Sequence, residues 1–169
     1  MAELYTIYNG PMPTTASQAV VTTGTAIKTM LQVKLGTQSK GKIVAWGISF
    51  DGSAAATPGI IELCETGTVF ATVTASAAAD IHKVGDPNAV DPTTSAFIIG
   101  TTATGYTATA EGTITAVRQF DVQLLPPTAP YVLQFPLGRE PCLNVSTAMR
   151  IRVKFATAVN AICWVTIEI

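Results

Sequence analysis

The sequence predicts an all-β fold: a single-domain antiparallel β-sandwich over residues 1–169, jelly-roll-like, with about ten short strands and little helix. Three observations predict it. Apolar residues come in strand-length bursts that alternate with small or polar residues, the period of a strand with one buried face. Gly, Pro, Asn and Asp punctuate the gaps between bursts, as turns require. No long stretch keeps apolar residues at helical spacing.

The stretch Lys42 to Glu65 shows the pattern best. Val44, Trp46, Ile48 and Phe50 fall on alternate positions beside Ala45, Gly47 and Ser49, which reads as a core strand. Asp51-Gly52 and Pro58-Gly59 bracket a small-residue loop before the β-branched run from Ile60, so the stretch is expected to form a long-looped hairpin. Trp46 removes on the order of 200 Å² from water when buried and is the natural centre of packing.

In chain order, Leu4 to Tyr8 alternates as a short strand that Asn9-Gly10-Pro11 stops, so residues 1–13 read as a tethered N-terminal strand or arm. Ala19–Thr22 and Ala26–Leu35 are β-prone, although Ile27, Met30 and Leu31 also fit one helical turn. Val69–Thr74 and Ala96–Gly100 are short apolar bursts, and Ala75–Pro92 is the least strand-like segment. In Thr113–Leu125, Phe120, Val122 and Leu124 oppose Gln119, Asp121 and Gln123, predicting that the polar side is wet. Pro126-Pro127 and Pro130 end that run, and Tyr131, Leu133 and Phe135 begin the next. The last two runs read as a hairpin. Met149, Ile151, Val153 and Phe155 alternate with Arg150, Arg152 and Lys154, and Cys163, Val165, Ile167 and Ile169 return with Ile162 and Trp164 on their other face. Large apolar groups on both faces place the return strand at a sheet centre or beneath another subunit.

Composition narrows the function. Only 12% of residues are charged, against roughly 25% in ordinary soluble domains. A net charge of −1 and a pI near 5.7 supply no basic surface for nucleic acid. Despite a mean hydropathy of +0.39, no window approaches the roughly 18 apolar residues of a membrane span. The opening MAELYTIYNG carries Glu3 where a signal peptide has basic residues. Cys64, Cys142 and Cys163 form no C-x-x-C pair and read as reduced core thiols. Asp80, His82, Asp86 and Asp91 match no ligand spacing, and Asp86-Pro87 and Asp91-Pro92 read as turn starters. His82, the one histidine, is expected in a surface loop, and the nucleophile, phosphate and zinc motifs are missing. No catalytic residue, cofactor or metal is therefore expected, and the protein is not read as an enzyme.

Two charged groups remain as contact candidates. Arg139-Glu140 sits between prolines, read first as a solvated loop with a local ion pair. Arg150, Arg152 and Lys154 form a row of cations about 7 Å apart, read first as a solvated face and second as a dock for an acidic protein surface.

Three stretches, WGISFDGSAAATP (Trp46–Pro58), GYTATAEGT (Gly105–Thr113) and QFPLGRE (Gln134–Glu140), resemble small accessory capsid proteins of tailed double-stranded DNA bacteriophages. The resemblance runs over most of the chain. It implies a β-rich, non-enzymatic decoration or minor capsid protein on the outer surface of an HK97-type icosahedral shell, made in the host cytoplasm. The implied partners are the major capsid protein and further copies of this chain, as a trimer at three-fold positions. The contacts are expected at Tyr5 and Tyr8 on the arm and at Arg139, Glu140, Arg150, Arg152 and Lys154, and deleting Met1–Tyr8 is expected to spare the fold. The alternative is a carbohydrate-binding sandwich used in host attachment, with Tyr5, Tyr8 and Tyr106 stacking on sugars.

Overall fold

In the computed structural model, residues 2–37, 39–53, 55–85 and 96–169 are described. Their strands run in chain order as β1 (Leu4–Tyr8), β2 (Val21–Thr22), β3 (Lys28–Lys34), β4 (Gly41–Phe50), β5 (Gly59–Glu65), β6 (Thr72–Ala75) and β7 (Ile81–Val84). After these come β8 (Gly105–Ala110), β9 (Arg118–Leu125), β10 (Tyr131–Gln134), β11 (Cys142–Leu143), β12 (Ala148–Lys154) and β13 (Asn160–Glu168). The predicted class holds: two antiparallel sheets face each other, and the one helical element is the 3₁₀ turn Ala78–Asp80. The first sheet has the order β10-β4-β13-β1-β7, with β11 beside β4 and β2 beside β13; the second has the order β6-β8-β3-β12-β5-β9.

Among the described residues, no two consecutive strands pair with each other. This corrects both expected hairpins. The loop after β4 carries the chain across to β5 in the opposite sheet, and β12 and β13 also lie in opposite sheets. Each sheet then buries the apolar side of its strands against the other, as in a sandwich.

Trp46 is fully buried among Ile43, Ile48, Leu63 and Val165 in the shared core. Its strand departs from strict alternation: the ladder to β13 slips between Thr166 and Ile167, pairing Thr166 with Ala45 and Ile167 with Ile43. Val44 is left as the extra residue, so Ile43 rather than Val44 turns inward. β13 lies between β4 and β1, which accounts for its apolar outer side. There the Trp164 indole rests on Gly47, where a Cβ would come within 2.8 Å of the ring.

Three further readings change. Residues 81–84 add β7 to the edge of β1, so His82 stands on a strand rather than in a loop. Gly105–Ala110, in the Thr/Ala/Gly stretch Thr101–Gly112 for which the sequence named no strand, is β8. On β9 Gln119 is exposed as expected, but the ladder to β5 shifts at Phe120 and beyond it the wet side is reversed: Val122 and Leu124 are exposed, while Asp121 turns inward to accept hydrogen bonds from Trp46 Nε1 (3.2 Å) and Tyr131 Oη (2.7 Å). A buried indole and a half-buried phenol need an acceptor, and the carboxylate supplies it.

The cysteines divide. Cys64 and Cys163 are buried, and burial pushes the Cys64 thiol up to about 12 and raises Cys163 as well. Cys142 is exposed, against expectation, because the two-residue β11 at the sheet edge turns Leu143 inward and Cys142 out. A thiol reagent is therefore expected to titrate one cysteine in the native protein and three after denaturation. Native labelling of Cys163 would contradict its place in the core.

Candidate functional site

The residues expected to make contacts do not share one surface. Tyr5 is a core residue: its ring meets Phe97 edge-on at 5.2 Å, and its hydroxyl donates to Glu3. Burial, and then the Glu3 carboxylate, push its pKa up to about 12. The N-terminal strand is therefore no free arm, since β1 is paired on both sides by β13 and β7. Tyr8, its half-buried neighbour on the outer side, meets His82 edge-on at 6.3 Å. Both border a groove of about 590 Å³ with Thr6, Met12, Pro13 and Gln18.

The cationic row of β12 is mostly internal, which corrects the expectation of a solvated face. Alternation does put Arg150, Arg152 and Lys154 on the outer side of their sheet, opposite Cys64, Glu62 and Ile60 of β5. Two chain segments cover that side. Arg150 is fully buried beneath them, with Nη1 donating to Glu111 O (3.0 Å) and Oε2 (3.2 Å) and Nη2 donating to Val69 O. Burial lowers its pKa, opposed by Glu111. Glu111 is fixed in turn by the backbone N–H of Thr29 (2.6 Å) and its hydroxyl (2.5 Å). Gln32 ties down the same cover, donating to Ala103 O at 2.7 Å and accepting from Ala71 N at 2.8 Å. Arg152 pairs with Glu62 at 2.6 Å, both nearly buried, and only Lys154 reaches solvent. Arg150 holds the cover on the sheet, whereas Arg152 pairs within the sheet itself.

The loop between β10 and β11 does lie outside. Arg139 N closes a turn on Pro136 O at 2.9 Å, and Gly138 takes a φ of +77°, which favours glycine. Arg139 is exposed and Glu140 half-buried, and among the described residues they form no ion pair with each other. The backbone N–H groups of Glu140 and Gly138 hold the Glu140 carboxyl below its usual range. Leu137, at the tip, is 90% exposed. It escaped the sequence reading because alternation says nothing about a turn; the signal available was a lone leucine between Pro136 and Gly138.

Tyr106 lies on β8, in the other sheet from Tyr5 and Tyr8, so the three tyrosines form no common stacking platform. Among the described residues, no three His, Cys, Asp or Glu side chains gather where they could hold a metal ion; Asp86 and Asp91 lie outside those residues. Among the described residues, no helix is long and apolar enough to cross a membrane. No family model, curated protein or solved structure matches the chain.

Proposed function

We infer that this protein is a structural component of a phage virion. It is a decoration or minor capsid protein that binds the outside of an icosahedral shell and strengthens contacts between major capsid protein subunits. In this reading it is not an enzyme, is made in the host cytoplasm and acts as a homo-oligomer, a trimer at three-fold positions. The observation that carries the reading is the β10–β11 turn. A 90% exposed leucine stands beside an arginine that forms no ion pair among the described residues, on a turn closed by its own hydrogen bond, within one of the stretches that resembles accessory capsid proteins. Such a tip supplies an apolar anchor and an orienting charge with little ordering cost, and many copies on one shell multiply a weak contact.

The test is co-sedimentation with undecorated capsids. Wild type is expected to bind in hundreds of copies with shell symmetry, as the resemblance implies. Leu137→Asp and Arg139→Glu are each expected to lose about 1–3 kcal/mol per contact, with melting temperature unchanged. A few copies at a tail tip, or full occupancy by both variants, would remove the reading's support.

A further inference from the structure

We propose that the groove beside Lys154, on the outer side of the second sheet, takes an aliphatic, acidic segment of the shell subunit. This inference rests on the capsid reading and adds a second contact to the one at the β10–β11 turn. The cover that encloses Arg150 leaves Lys154 exposed at the end of β12. There Leu124, Ile60 and Lys154 lie side by side on β9, β5 and β12, and Val122, Glu62 and Arg152 form the next rung. Ile27, Ile60, Val122 and Lys154 line a groove of about 320 Å³ with the nearly buried Glu62–Arg152 pair. Ile27 and Ile60 are each 47% exposed and Val122 42%, and Leu124, beside Ile60, is 67% exposed. Single exposed aliphatics are ordinary, whereas four gathered at one groove mark an interaction surface.

Charge names the occupant. Among the described residues, Glu62 is the one carboxylate lining the groove, and both its oxygens are taken, Oε1 by Arg152 at 2.6 Å and Oε2 by Gln119 at 3.1 Å. Lys154 forms no ion pair among the described residues, so a complementary partner brings the anion. A second copy has none to spare: the other carboxylate side chains of the described residues either form ion pairs or, at Asp51, Asp80, Asp121 and Glu140, accept hydrogen bonds within the chain. The groove also borders the side of the sandwich that carries the tip. Asp121 of β9 accepts from Tyr131 of β10 at 2.7 Å, and Arg118 of β9 donates to Cys142 O of β11 at 2.8 Å. These bonds stack the β9 edge over the strands on either side of Leu137, so a surface that meets the tip runs on to the groove.

The experiment uses the full chain and undecorated capsids. Lys154→Glu and Leu124→Ser are each expected to raise the concentration needed for half occupancy by about tenfold with an unchanged melt, and Lys154→Arg is expected to bind as wild type. The control is Val84→Ser, which alters an exposed aliphatic on β7 at the far edge of the first sheet and is expected to bind as wild type. Carbodiimide, which joins a lysine to a carboxylate only where the two touch, is expected to link Lys154 of the bound protein to an Asp or Glu of the shell subunit, read by mass spectrometry. Wild type that binds while Lys154 stays unlinked, or full binding by both Lys154→Glu and Leu124→Ser, would overturn this proposal and leave the capsid reading standing. Wild type that does not bind would remove that reading, and this contact with it.

Discussion

Arg150→Ala is expected to lose about 3–5 kcal/mol of stability, the usual cost of removing one partner from a buried ion pair. The guanidinium is fully enclosed, and its departure leaves the Val69 carbonyl without its arginine donor and the partly covered Glu111 carboxylate without its counter-charge, held by Thr29 alone. For a chain of this length the melting temperature falls by about 10 °C. The same side chain ties the segments after β5 and β8 to the sheet, so its loss is also expected to loosen residues 68–71 and 111–113. Arg150→Met with Glu111→Gln is the control, since removing both charges avoids the uncompensated carboxylate and should recover part of the loss. Urea unfolding of the three proteins decides the matter. A loss under about 1 kcal/mol for Arg150→Ala would mean that the pair behaves as an exposed one.

Deleting residues 2–8 is expected to leave no cooperatively folded protein. β1 is flanked on both sides, and Tyr5 and Ile7 are buried in the core. The deletion strips the ladder from one side of β13 and detaches β7. It also opens a cavity where each lost large side chain costs about 2–5 kcal/mol, against a total stability of about 5–15 kcal/mol. Far-UV circular dichroism through a thermal ramp is the measurement. A deleted chain that keeps a cooperative melt would show that β1 is an appendage.

The fold class was legible because strand periodicity is local. Ile151 and Val153 alternate with Arg150 and Arg152, and that alternation gives the inward and outward sides of β12 correctly. What it cannot give is what lies over the outward side. Arg150 is covered by Val69 and Glu111, far from it in sequence, and no spacing near residue 150 announces them. The same limit explains the two misread hairpins. A turn signal states that the chain reverses, not whether it returns in the same sheet or the other one. On β9 the error came from reading polarity as exposure: Asp121 serves Trp46 and Tyr131, and Val122 and Leu124 were left outside. The tip at Leu137 and the β9 edge were illegible for a related reason, since being an edge is a property of the assembled sheet.

Leu4 lies opposite Glu168, so the earliest of the described strands to be synthesised has for its neighbour the last of them. With no two consecutive strands paired among the described residues, almost every ladder must wait for distant sequence. Proteins dominated by such non-local pairing fold in milliseconds to seconds rather than microseconds. During translation, the first sheet has no centre until β13 emerges, and its apolar strands wait with open edges. Synthesis of β13 therefore comes before closure of the first sheet, and crowded nascent copies are at their most adhesive just before that strand arrives.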